Sequence, residues 1–341
     1  MFNPSKIHSN VLEYISEMRG KVTSQDMWLI TGSRGYVGRH LTLLFRSEGI
    51  EYVGIDYQSI DPLDANLDTN SKELEGDFSD ELLVTRILID YPIKGIIHLA
   101  ALKDVSQAIE YPERYLKENL DTSMSFLNLV SDFNVQKFIF ASSAAVYGDK
   151  NTLLGFDETD ETSASNAYGE SKLRFEMFLK EWHKRKSTTV LALRFFNISG
   201  ASRDLKPDLE GSNLIPLILR SAEKSTALNI FGNNFPTKDG SAQRDYVHVE
   251  DVVEAIFLST KIQEPSFEIL NIGTGVGTSV FEVVESLNKS FDLDLRLKIQ
   301  DSRPGDSYSS IAKNDKAKQL LGWVPKRNFS EIIESYRSSQ N

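Results

Sequence analysis

A short apolar run at residues 28–30 leads directly into Thr31-Gly32-Ser33-Arg34-Gly35-Tyr36-Val37-Gly38, and a helical pattern follows over 36–47. No other stretch restricts the fold as strongly. An apolar run of this kind is a buried strand. Glycines spaced three apart permit a tight turn and let the backbone approach a bound group closely, and the following helix offers that group its electropositive N-terminus. An ordinary turn would also use glycines. Here their place between strand and helix makes them a candidate cradle for a dinucleotide pyrophosphate.

The alternation continues. Strands are expected at 52–55, 95–99, 137–141 and 190–194, with helices around 80–90, 105–132 and 165–186. Such a pattern predicts an α/β fold: a Rossmann-like, doubly wound parallel sheet with helices on both faces. After Asn197 the texture changes. Residues 200–246 are rich in Gly, Pro, Asn and Asp, with one helical run near 214–224. Helix and strand texture resumes over 245–258 and 270–273, and a strand is expected at 295–299. The expected organisation is therefore an N-terminal extension (1–26), a dinucleotide domain (27–196 plus about 245–281), and a smaller mixed α/β substrate domain (about 197–244 plus 282–341). Ile7, Val11, Ile15 and Met18 fall on one side of a packing helix at 7–19.

Composition removes several classes. The 341 residues carry a net charge of −11, without a basic cluster to attract nucleic acid. Cysteine is absent, so disulfide and thiolate chemistry are excluded, and the five histidines are scattered without an i,i+4 pair, so no metal site is expected. No stretch reaches the roughly 20 apolar residues that span a bilayer. A soluble, cytoplasmic protein is the simplest expectation.

Two sets of residues carry chemistry. Asp56, ending the second strand 18 residues after Gly38, can accept hydrogen bonds from ribose hydroxyls and repels a 2′-phosphate, favouring NAD over NADP. Arg34 pulls the other way, since it could meet that phosphate. In the helix at 165–186, Tyr168 and Lys172 are four residues apart and share one face. The ammonium should lower the pKa of the phenol and make Tyr168 a base, and Lys172 can also hold the nicotinamide ribose. Ser143, at the end of the strand 138–143, can hydrogen-bond a substrate oxygen and relay its proton to Tyr168. A helix-surface pair and a turn-capping serine are the plainer alternatives.

Together these residues resemble the extended short-chain dehydrogenase/reductase family, and within it the UDP-glucose 4-epimerase branch. The resemblance runs from Met27 to about Phe329 through ITGSRGYVG (30–38), IIHLAALKDV (96–105), FIFASSAAVYG (138–148), YGESK (168–172), LRFFNISGA (193–201), IFGNNFPTKDGSAQRDYVHVED (230–251) and RPGD (303–306). It implies NAD as cofactor. Beside Gly32, Gly35, Tyr36, Val37, Gly38 and Asp56, it assigns Asp77, Phe78, Leu99, Ala100, Ala101, Lys103, Asn119, Ser142 and Phe196 to the cofactor site, along with Tyr168 and Lys172. Lys103, Ser143, Asn197, Asn213, Leu214, Asn229, Phe231, Arg244, Arg303, Asp306 and Ser310 are implied for the UDP-sugar. Two arginines suit a diphosphate, and Phe231 offers a face to uracil.

The implied activity is C4 epimerisation of a UDP-hexose through a 4-keto intermediate that turns about its link to the anchored UDP. Sugar-nucleotide dehydratases of the family place an acidic pair where this chain has Ala144 and Ala145, and decarboxylating relatives carry a Glu near there. Ser310 stands where sugar-strict bacterial epimerases have a bulky Tyr, which leaves room for an N-acetyl group and implies tolerance of UDP-GlcNAc and UDP-GalNAc. Asn197 is followed by Ile198, where the family pattern has Pro. A homodimer built on the helices at about 105–132 and 165–186 is also implied. Two other functions stay open: epimerisation of another nucleotide sugar such as a UDP-uronic acid, and a non-catalytic NAD-sensing role on the same fold.

Overall fold

The computed structural model describes residues 26–59, 71–150, 152–202, 205–209, 211, 213–302 and 307–338. The helix expected at 7–19 lies outside the described residues, as do Arg303 and Asp306. The first strands are β1 (Met27–Thr31), β2 (Tyr52–Asp56), β3 (Lys72–Glu75), β4 (Ile93–His98), β5 (Lys137–Ser143) and β6 (Thr189–Phe195). They are followed by β7 (Asn197–Ser199), β8 (Leu228–Phe231), β9 (Gln243–His248), β10 (Phe267–Ile272), β11 (Gly277–Ser279), β12 (Leu297–Gln300) and β13 (Ser309–Ser310). The helices are α1 (Tyr36–Ser47), α2 (Glu81–Asp90), α3 (Val105–Glu110), α4 (Pro112–Tyr115), α5 (Thr122–Val130) and α6 (Ala167–Lys186). The remainder are α7 (Leu214–Glu223), α8 (Val249–Ser259), α9 (Val280–Phe291), α10 (Asp315–Leu321) and α11 (Phe329–Ser338).

Seven strands form one parallel sheet in the order β3-β2-β1-β4-β5-β6-β10. The chain moves outward from β1 to β3, then crosses back to β4 and proceeds outward on the other side. That reversal opens a crevice at the carboxyl ends of β1 and β4, where open α/β sheets bind their ligands. Leu29, Val53, Ile96 and Phe138 face one layer of helices (α2, α5, α6), while Trp28, Ile30, Ile97 and Ile139 face the other (α1, α8, α10). Both faces of the inner strands are dry, so those strands are largely apolar. Each fully buried Leu, Ile or Phe contributes roughly 1.5–3 kcal/mol of transfer free energy.

The second region is built around β9, which pairs with β7, β11 and β13, while β8 and β12 form a separate parallel pair. Its core contains Ile215, Ile218, Leu228, Ile230, Tyr246, Val283, Leu287, Ile332 and Tyr336. The stretch 245–281, expected to return whole to the dinucleotide domain, is divided. Helix α8 and strand β10 pack on the large sheet, whereas the backbone hydrogen bonds of β9 and β11 go to the smaller one.

Two further expectations change. The single helix expected at 105–132 is broken at Tyr111, because Pro112 starts a new helix and cannot continue the old one. Residues Leu116–Asp121 then form a π-helical turn before α5. Strand β3 escaped the sequence reading. It is an edge strand, KELE, with the outer residues exposed and only four residues long, so it lacks an apolar signature.

Candidate active site

The loop after β1 fills the crevice. Gly32 has φ +74°, and a Cβ there would lie 2.8 Å from the backbone nitrogen of Ala100. The first glycine therefore lets the β1 loop pack directly against the β4 loop, the segment Leu99-Ala100-Ala101. Gly35 is the N-cap of α1, no side chain caps that helix, and its first turn holds no acid, so its amide groups remain available to an anion. Asp56 closes the other side. Its carboxylate accepts from the amides of Arg34 and Gln58, both at 3.0 Å.

Several residues assigned to the cofactor prove to hold loops. The buried Asn119, within the π-helical turn, accepts from Leu102 N at 2.8 Å and donates to Leu102 O at 2.9 Å, fixing the β4 loop from below. Phe78 meets His98 edge-on at 5.0 Å in the apolar layer beneath the crevice. His98 bridges Thr31 (2.7 Å) and Ser123 (2.8 Å), and burial pushes its pKa down to about 3, so the imidazole is neutral. Tyr36 donates its hydroxyl to Gly200 O and ties the glycine loop to the second region. Lys103 pairs with Asp208 and lies 5.6 Å over the Tyr36 ring. Val37 and Leu99 pack on the apolar layer, and Phe196 is buried beside Val146, Tyr147 and Phe156. Asp77 is exposed and accepts from Ser79 N at 2.8 Å.

The pair Tyr168 and Lys172 sits on the first turns of α6. Asn166 caps the helix by accepting from Gly169 N at 3.0 Å. A Cβ at Gly169 would lie 2.4 Å from Ala145 O, so glycine allows α6 to press against the 3-10 turn Ala144–Tyr147. That turn follows Ser143 directly, and Ser143 lies near enough to the Tyr168 phenol to draw its pKa down. One turn further on, Lys172 donates to Ala141 O at 2.9 Å and lies 4.8 Å over the Phe140 ring.

The electrostatics correct one expectation. Burial pushes the Lys172 ammonium down to about 7, although Glu176 pulls it up. Tyr168 is raised above its ordinary 10.0, chiefly by burial and also by Tyr115, against the hydrogen bond from Ser143. The sequence argument had Lys172 lowering the phenol. In the structure Lys172 is buried and Tyr168 partly so, and desolvation, not attraction within the pair, is the largest influence on each.

The Ser142 hydroxyl, assigned to the cofactor by the resemblance, donates to Glu176 within the protein. Glu176 forms a buried pair with Arg194 at 2.7 Å. Arg194 reaches the Tyr147 hydroxyl at 3.0 Å, and Tyr147 donates to Asn271 at 2.7 Å. This buried polar network ties the end of β5, through Ser142, to α6 and β6.

Across the crevice, Asn197 begins β7. Asn213 and Leu214 start α7, which no side chain caps. Asn229 and Phe231 lie on β8, and Arg244 lies on β9. In register, Ser310 on β13 is the partner of Arg244. One residue near the crevice was missed by the sequence reading: Glu73 on β3, buried beside Ser33 and Arg34. The polar pattern of that strand was its only signal.

A glycine-lined crevice at a topological switch point, with a serine, a tyrosine and a lysine at its lip, defines a dinucleotide-dependent enzyme of the short-chain dehydrogenase/reductase type. The chain belongs to the NAD dependent epimerase/dehydratase family, whose model matches residues 28–273. It is 34% identical to a UDP-glucose 4-epimerase of Lactobacillus helveticus over 89% of this chain and 94% of that one. A UDP-glucose 4-epimerase from Bifidobacterium longum, solved with NAD+ and UDP, superposes with a TM-score of 0.83 at 30% identity, covering 92% of this chain and 98% of that one. The UDP-Glc/GlcNAc 4-epimerase of Campylobacter jejuni does so with a TM-score of 0.80 at 29% identity, over 93% and 99%.

Proposed function

We propose that this protein interconverts UDP-glucose and UDP-galactose by epimerisation at C4, with NAD as its resident cofactor. The observation that carries the reading is that the helix bearing Tyr168 and Lys172 presses, through Gly169, against the turn that follows Ser143, with alanines at 144 and 145 in place of the acids a dehydratase needs. The fit to a dinucleotide rests on the uncapped start of α1, the backbone approach at Gly32 and the Asp56 carboxylate.

When bound, NAD would supply an acceptor and donor of hydride at C4 and a positive charge that favours the phenolate. Tyr168 removes the proton of the C4 hydroxyl, with Ser143 holding the same oxygen. Lys172 holds ribose hydroxyls and stabilises negative charge on the phenol. The uncapped start of α7 at Asn213-Leu214, together with Asn229, Phe231 and Arg244, anchors the UDP moiety, so that the sugar can turn over while its nucleotide stays fixed. Arg303 and Asp306 would join them. Ser310 beside Arg244 leaves room at the sugar for an N-acetyl group, so UDP-GlcNAc and UDP-GalNAc are included as substrates.

Incubating the purified protein separately with UDP-galactose and UDP-GalNAc, without added cofactor, and separating the products tests the assignment. Formation of the C4 epimer supports it. A product lacking water, or no product from either sugar, defeats it.

The reading includes a homodimer and a cytoplasmic location. Val105, Ile109 and Tyr111 on and beside α3 and Met177 on α6 are exposed apolar side chains on the two segments that would pair. Sedimentation of the intact chain at twice the monomer mass would support the dimer. Among the described residues no helix is long and apolar enough to cross a membrane, and no group of side chains could hold a metal ion.

A further inference from the structure

Glu73 has no part in the reaction, yet it is buried against the dinucleotide loop. It lies opposite Gly54 in the β2–β3 register. A Cβ at Gly54 would lie 2.5 Å from Glu73 Oε2 and 2.6 Å from Ser33 Oγ. The missing side chain on β2 is therefore the passage through which an acid on β3 reaches the loop after β1. Ser33 donates to Glu73 Oε2 at 2.7 Å, and Arg34 Nε stands 3.7 Å from the same oxygen. Both charged side chains are nearly dry, Arg34 at 5% and Glu73 at 4% exposure. Burial pushes the Glu73 carboxyl up, while Ser33, Arg34, Tyr52 and Arg46 pull it down.

Arg34 is the one cation inside the glycine loop. Its Nη1 donates to the carbonyls of Asp56 and Gln58, at the end of β2 where an adenosine ribose would rest. Its Nε and Nη2 are buried without a hydrogen-bond partner among the described residues. An arginine with free donors at that point is equipped to receive a 2′-phosphate, the group that separates NADP from NAD. The Asp56 carboxylate is already engaged by two backbone amides and does not face the guanidinium alone.

We propose that Glu73 is a specificity-determining residue: by offsetting the Arg34 charge within the loop, it denies a 2′-phosphate its cation and makes the enzyme select NAD over NADP. The charge cancels at short range in a medium of low dielectric, where an isolated carboxylate also repels an incoming phosphate. Asp56 supplies direct ribose contact, and Glu73 disarms the neighbouring cation. The inference rests on the dinucleotide reading of the loop and adds to it the residue that chooses between the two dinucleotides.

The test is calorimetric titration of the full-length chain with NAD+ and with NADP+. Glu73→Gln keeps the shape and the hydrogen bond from Ser33 but removes the charge. It should strengthen NADP+ binding about tenfold or more relative to NAD+, and adding Arg34→Met should abolish that gain. An unchanged ratio in Glu73→Gln, or a gain that survives Arg34→Met, overturns the proposal. Arg34→Met alone, which leaves Glu73 intact, gives an independent reading. The NADP+/NAD+ ratio should stay within about twofold of the unaltered protein, and a drop of about tenfold would show Arg34 already serving a phosphate and overturn it as well. Failure of the unaltered chain to bind either dinucleotide is a distinct result, and it would remove the cofactor reading itself.

Discussion

Arg244 on β9 and Ser310 on β13 are register partners in a short parallel pairing of the smaller sheet. The side chain at 310 therefore limits the space beside the residue proposed to hold the diphosphate. Ser310→Tyr should abolish turnover of UDP-GlcNAc and UDP-GalNAc while rates on the plain hexoses stay within about threefold, since a ring at this place fills the volume of an acetamido group. Steady-state rates on all four sugars check this. If acetylated and plain sugars are equally unaffected, the pocket assignment is wrong.

Tyr168, at the start of α6, has Ser143 close enough to lower its pKa. Removing the phenolic oxygen takes away the base and leaves the helix, its Asn166 cap and its packing on Ala145 intact. Tyr168→Phe should lower kcat by about 100-fold or more, in the range of a lost general base. Its melting temperature and NAD+ affinity should stay close to those of the unaltered protein. A sensing protein without catalysis would instead keep every measurable property in the variant.

Lys172 is buried, and burial pushes its pKa down to about 7 from the ordinary lysine value of 10.5. The unfolded chain thus binds more protons than the folded one between about pH 7 and 10.5, and stability contributed at this position rises with pH across that window. Lys172→Met should therefore be inactive yet more heat-stable in the absence of ligand. The gain should be largest below pH 7, by a few degrees, and should fade as pH rises toward 10.5. Calorimetric melting of both proteins from pH 6 to 10 measures it, and a gain that grows with pH would contradict the assigned shift.

How far the sequence discloses this protein differs from residue to residue. β1, α1 and the glycine loop were legible because strand, turn and helix signals are contiguous there. Tyr168 and Lys172 were legible through their helical spacing. Their protonation was not, because burial depends on what folds over them and the sequence alone suggested only the attraction between them. β3 was invisible, since an edge strand of charged residues has no apolar period, and with it Glu73 was lost. The partner of Ser142 was not legible, because a strand end presents neighbouring hydroxyls to opposite sides. Only the fold shows that Ser143 faces the crevice and Ser142 faces Glu176. The break at Tyr111-Pro112 was written in the sequence and overridden by the long run of helix formers around it.

The central claim is that the hydrogen on C4 leaves and returns within one closed site. UDP-galactose carrying deuterium at C4, incubated with the protein in ordinary water and followed by proton NMR, tests it most directly. The account expects UDP-glucose with the deuterium still at C4. Product carrying solvent hydrogen at C4 would mean that the bond is broken as a proton, and the hydride mechanism built on Tyr168 and the crevice would fall.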